Sequence, residues 1–210
     1  MNADPSKFLR ASILILLSTI GCLQRTAGRQ QVTESRDKDV YTALLDSVFT
    51  EPDKRHGDGV VIGDSTSASV YEENYMVSRR STDIGFVAEL FRDFGYVDST
   101  AVRSFENRNR SSVAIPQLSP SRGRVVRAHS STLDSLPREL KAHWRAFYEL
   151  YPRSAGLISL STVGYSSNGD VAIVMVGQAC GALCGRGYLI GLRRKGGKWY
   201  VATIKPTWVS

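Results

Sequence analysis

Histidine is scarce in this chain of 210 residues: there are three, His56, His129 and His143, and none follows His143. Zinc sites want four donors at patterned spacings, and three unpatterned histidines beside three cysteines supply no such set. Apolar runs are short. The uncharged, mostly apolar "ASILILLSTIG" spans eleven residues, against the roughly 20 that a membrane-spanning helix requires. The glycines are not spaced for a dinucleotide: neither Gly57, Gly59 and Gly63 nor Gly185, Gly187 and Gly191 fits G-x-G-x-x-G. Aromatics are nearly missing from the most basic stretch, where Arg103, Arg108, Arg110, Arg122, Arg124 and Arg127 face Glu106 alone and Phe105 is the one ring. Base stacking is not indicated there, and the stretch reads as a solvated loop, so no nucleic-acid partner is expected.

What is present begins with a compartment signal. Lys7 and Arg10 precede the short apolar run, which has the proportions of a secretory h-region. The run closes on "STIGC", residues 18–22, which resembles the lipobox of bacterial lipoproteins, with Thr19 where that family usually has leucine. The resemblance implies that Cys22 is acylated and becomes the first residue of the mature chain, anchoring it to a membrane. The alternative is an ordinary signal peptide cut near "TAG", residues 26–28, releasing a soluble periplasmic or secreted protein. Lipidation accounts for the odd thiol, since Cys180 and Cys184 then remain as a pair. Leu23, not aspartate, follows the cysteine, which points to the outer membrane of a two-membrane bacterium.

The organisation expected is a signal peptide over 1–21, a lipid-attachment cysteine with a flexible polar tether over 22–39, and one α+β domain over 40–210. Val40, Leu44, Leu45 and Val48 share a helical stripe, and "GVVIGD" reads as a strand. "STDIGFVAELFRDFG", residues 81–95, carries a helical period ended by glycine. "DSTAVRSFENRN" reads as a short helix capped by Asp98, and 111–131 as loop with at most a short strand near Val125. Leu140, Trp144, Phe147, Tyr148 and Tyr151 line one face of a helix stopped by Pro152. Four strand-like segments follow, the first two joined at Asn168-Gly169, the strongest short-range hairpin signal, and the last two at Gly196-Gly197. The architecture expected is therefore N-terminal helices followed by a C-terminal four-stranded antiparallel meander packed against the 139–151 helix. Its second strand, apolar on both faces, belongs at the centre.

Two motifs could carry chemistry. Cys180 and Cys184 flank Gly-Ala-Leu between the second and third of these strands. Across a three-residue hairpin loop their Cβ atoms come near disulfide distance. In an oxidising compartment a disulfide is the default reading; a metal clasp and a thiol-redox pair are the alternatives. The stretch "VVIGDSTSAS", residues 60–69, resembles the first block of GDS(L)-type esterases, which implies Ser65 as nucleophile. A serine hydroxyl needs a base and an orienting third group, yet no Asp-x-x-His follows it; the match, Asp53 and His56, precedes it. A serine hydrolase is thus the least favoured reading, and no catalytic residue is assigned.

The last third, "FYELYPRSAGLISLSTVGY", "CGALCGRGY" and "GKWYVATIKPTWVS", resembles uncharacterised bacterial exported proteins. The resemblance implies export and architecture but no chemistry. The closing strand–Gly-Lys-Trp–strand is also similar to cone-shaped domains of the NTF2-like kind. The function expected is that of a non-enzymatic envelope protein with no cofactor, held at a membrane by its N-terminal lipid, that binds a protein or small molecule.

Overall fold

The computed structural model describes residues 34–48, 59–67, 98–121 and 123–210. The contacts given below belong to the unit that runs from Asp37 to Ser210. The expected signal peptide, Cys22, His56 and the helix expected over 81–95 lie outside the described residues.

Residues 34–48 are helical (α1). Asp37, Val40, Tyr41, Leu44 and Leu45 turn inward, the i, i+3, i+4, i+7, i+8 pattern of a helix laid on a core. The helix already includes residues 34–39, which were expected to be tether. The reason is a long-range contact that local periodicity does not reveal. Asp37 is 5% exposed; Arg108 donates to its two carboxylate oxygens at 3.2 and 2.8 Å, and the Tyr165 hydroxyl donates at 2.8 Å. Tyr41, buried one turn on, donates to the Ser161 carbonyl at 2.8 Å, and burial pushes its pKa up so that the hydroxyl stays protonated.

The remaining elements are β1 (Gly59–Gly63), α2 (Ser99–Arg108), β2 (Arg124–Ala128), α3 (Ser130–Asp134), α4 (Leu140–Leu150), β3 (Ser154–Leu160), β4 (Gly164–Tyr165), β5 (Val171–Gly181), β6 (Cys184–Lys195) and β7 (Lys198–Val209). Asp98 caps α2 by accepting from Thr100 N and Ala101 N, and Glu139 does the same for α4, satisfying orphan N–H groups of each first turn.

The fold is α+β, but its sheet exceeds the four strands expected. Seven strands form one mixed sheet in the order β2-β1-β3-β5-β6-β7, with β4 also paired to β5. β1 lies parallel to both β2 and β3. The pairs β3–β5, β4–β5, β5–β6 and β6–β7 are antiparallel. Of the three further strands, β4 comes from a split of the first expected segment, and the other two are the apolar run around Val61, expected as a strand outside the meander, and the run around Val125. Hairpin turns cannot join parallel neighbours, so turn signals alone reveal only the antiparallel half.

The first of the four strand-like segments expected after Pro152 is split at 161–163 into β3 and β4. There Asn109 holds the Thr162 backbone from both sides, its side chain accepting from Thr162 N at 2.7 Å and donating to Thr162 O at 2.8 Å.

β5 sits inside the sheet with both faces covered. Ala172, Val174 and Val176 join Val40, Tyr41, Leu44 and Leu45 of α1 in one cluster. Ile173 and Met175 meet Ala101, Val102 and Phe105 of α2 on the other side. The helix expected to cover this strand, α4, sits further along that second face, where Phe147 is buried with Val61 and Ala128.

The buried pair sets a quantitative expectation. Removing one partner of a buried ion pair strands the other charge, at about 3–5 kcal/mol. Asp37→Asn should lower unfolding stability by about 3 kcal/mol, at the low end because the Arg108 side chain is 24% exposed. Urea unfolding measures this; a change within experimental error would show that α1 is not held by this contact.

Candidate functional site

β1, β2 and β3 run parallel, so their carboxyl ends meet at one edge of the sheet. That is where open sheets with parallel strands bind ligands. Here the loop after β1 (64–67) meets the start of α3 and the last residues of β3, enclosing a cleft of about 240 Å³ lined by Ser65, Ser67, Ser130, Asp134 and Ser159 beside Leu133 and Leu157.

The loop is held rigidly by backbone bonds. Ile115 N donates to Asp64 O at 2.9 Å, Thr66 N to Val113 O at 2.7 Å and Ser67 N to Leu160 O at 3.0 Å. Thr66, 2% exposed, has its hydroxyl 3.1 Å from that of Thr162 and accepts from Val113 N at 2.9 Å.

The strand–Asp-Ser layout expected from sequence is present, but its company differs from that of a hydrolase. Ser65 Oγ lies 3.2 Å from Ser130 Oγ, and Ser130 donates to Asp64 Oδ1 at 2.5 Å. His129 Nδ1 is 3.3 Å from Asp64 Oδ2. The hydrogen bond from Ser130 is the main cause holding the Asp64 carboxyl below its ordinary pKa, aided by His129. Asp64 therefore stays ionised near neutrality and is a weak proton acceptor. The imidazole reaches the carboxylate, and the group beside Ser65 is another hydroxyl. His143, the other described histidine, has Nδ1 3.2 Å from the Pro137 carbonyl. Ser130 was not singled out in the sequence, and His129 was weighed there only as a metal donor. The Asp64 contacts cross 65 positions or more, and no local spacing announces them.

Cys180 and Cys184 form a disulfide with Cα atoms 5.0 Å apart, in a turn that differs from the expected one. Gly181, not Cys180, pairs with Cys184, so Ala182 and Leu183 form the turn and Cys180 falls at a bulge between Ala179 and Gly181. The bridge is diagonal. Tyr148 of α4 donates to Cys180 O at 2.9 Å, tying the helix to the bulge. Gly156 of β3 has φ +116°, and a Cβ there would come within 2.3 Å of Ala179 O; glycine is required by both conformation and space. Among the described residues no group of three or more His, Cys, Asp or Glu is placed to hold a metal ion. No described helix is long and apolar enough to cross a membrane.

The chain matches no family model, no curated protein and no solved structure.

The Asp64 cluster is testable by titration. Ser130→Ala removes the main bond to the carboxylate and should move its pKa up toward the ordinary aspartate value. Because the folded pKa lies below the unfolded one, the stability Asp64 contributes is present above the ordinary carboxylate range and lost as pH falls through the lowered value. The side-chain carboxyl carbon shift followed against pH reads the change; an unmoved midpoint would show that Ser130 does not set it.

Proposed function

We propose that this chain is an exported, lipid-anchored bacterial envelope module. It acts by binding, with the cleft at the carboxyl ends of β1 and β3 as its ligand site. The observation that carries the reading is the Cys180–Cys184 disulfide at the β5–β6 turn, because such bonds persist in oxidising compartments outside the cytosol. The N-terminal pattern is consistent with it: Lys7 and Arg10, a short apolar run and Gly21-Cys22 together give an export signal and a use for the third cysteine.

Binding is favoured over hydrolysis by the site's chemistry. A nucleophilic serine needs a neighbour that takes its proton, and Ser65 has a second hydroxyl beside it, itself committed to an ionised aspartate. A row of hydroxyls around two leucines suits a small polar solute whose own hydroxyls exchange hydrogen bonds with serine. The cleft is smaller than the roughly 300–1,000 Å³ of sites for drug-sized ligands, so the solute is correspondingly small.

Intact-mass analysis of the native product from the membrane fraction tests the compartment. The expected species begins at Cys22, carries acyl chains, and shows two reactive thiols after reduction and none before. A product that retains Met1 with three free thiols would overturn the reading.

A further inference from the structure

No acidic residue follows Asp170, whereas Arg186, Arg193, Arg194, Lys195, Lys198 and Lys205 are all basic. The fold concentrates most of this charge at one place, the tip of the β6–β7 hairpin. Gly196 and Gly197 have φ +57° and +80°, so a two-residue turn with both positions left-handed closes the hairpin tightly. The register then sets Lys195 directly opposite Lys198, Arg194 opposite Trp199 and Arg193 opposite Tyr200. Arg194, Lys195, Lys198 and Tyr200 are exposed.

Like charges facing each other across a strand pair repel, so the Lys195–Lys198 pair costs stability in the free protein. A dense anionic surface reverses the sign of that term. The tip therefore holds an unfavourable charge arrangement that a polyanionic partner relieves.

We propose that this hairpin tip docks on the headgroups of an anionic phospholipid membrane. The aromatic residues distinguish a lipid surface from nucleic acid. Tyr200 is 43% exposed, and a ring with an apolar body and a polar tip suits the headgroup level. Trp199 is not presented as a stacking platform: it is partly buried on the core, 6.0 Å from the Tyr165 ring, with the Arg194 guanidinium 6.0 Å from its centroid. The basic residues crowd a two-residue turn, which meets a flat surface end-on and offers no groove to follow a strand of phosphates. Attraction decays within a Debye length of about 10 Å at 0.1 M salt, so the residues at the tip dominate.

This surface does not depend on acylation, and the test removes the acyl chain deliberately. The full chain carrying Cys22→Ser is co-sedimented with vesicles of phosphatidylglycerol mixed with phosphatidylcholine, and with phosphatidylcholine alone. The proposal expects binding to the mixed vesicles that weakens as salt rises, and little binding to phosphatidylcholine. Neutralising the tip with Arg194→Gln, Lys195→Gln and Lys198→Gln should weaken binding about a hundredfold, near fivefold for each basic residue at an anionic surface. Lys195→Arg with Lys198→Arg keeps the charge and should bind as the parent does. These exposed substitutions should leave the far-ultraviolet circular dichroism unchanged. Equal binding to both vesicle types, no effect of the three glutamines, or tighter binding to duplex DNA than to the anionic vesicles at the same salt would each overturn the proposal. Failure of the anchor reading would leave all of these results as they stand.

Discussion

The structure depends on one strand having no solvent face. β5 places Ala172, Val174 and Val176 under α1, and Ile173 and Met175 under α2, so side chains on both sides of the pleat are buried. Each buried aliphatic side chain contributes about 1.5–3 kcal/mol relative to exposure, and β5 carries a continuous row of them. A strand with that composition must lie inside a sheet covered on both faces. That requirement brings α1 and α2 to opposite sides, and β3, β4 and β6 alongside.

The chemistry-bearing regions lie away from this core. Where β5 begins, Val171 pairs with Arg193 and Asp170 O accepts from Arg194 N at 2.8 Å, so the basic hairpin tip is held at that end. Where β5 finishes, the bulge at Cys180, the disulfide, the Tyr148 hydrogen bond and the glycine at 156 fix the opposite end. The hydroxyl-lined cleft lies across β3, at the carboxyl ends of the parallel strands. Rigid strands thus carry polar groups to the edges of the sheet, where backbone bonds and caps rather than apolar packing keep them in place. Asp37 is the exception: a charge set inside, acceptable because Arg108 and Tyr165 satisfy both carboxylate oxygens.

Much of the C-terminal half was legible because its signals are local. The apolar row of Val171–Val176, the Asn168-Gly169 and Gly196-Gly197 turns, the Asp98 cap and the stripe through Phe147 each state their structure within a few residues. What escaped is non-local. The run around Val61 was readable as a strand and the one near Val125 as at most a short one, but their parallel pairing with each other and with β3 needs long crossover connections that leave no turn signature. Residues 34–39 look like a polar tether until Asp37 meets Arg108, 71 positions away. Across the Cys180–Cys184 turn, counting residues suggests a symmetrical loop, whereas the bulge that shifts the register lies where β5 meets Gly156 and Tyr148. In the candidate site, Asp64 and Ser65 were visible as the end of a strand. The placement of Ser130 and His129 beside them, which decides what that serine can do, was not, because a different strand delivers them.

β5 is the innermost strand, and the elements on both of its faces are arranged around it. Native-state hydrogen exchange, read amide by amide, addresses this directly. The amides of Val171–Val176 should be the slowest in the chain and exchange only with global unfolding, while those of β7, at the sheet edge, open at lower free energy. Exchange of the β5 amides as fast as those of β7 would contradict the account.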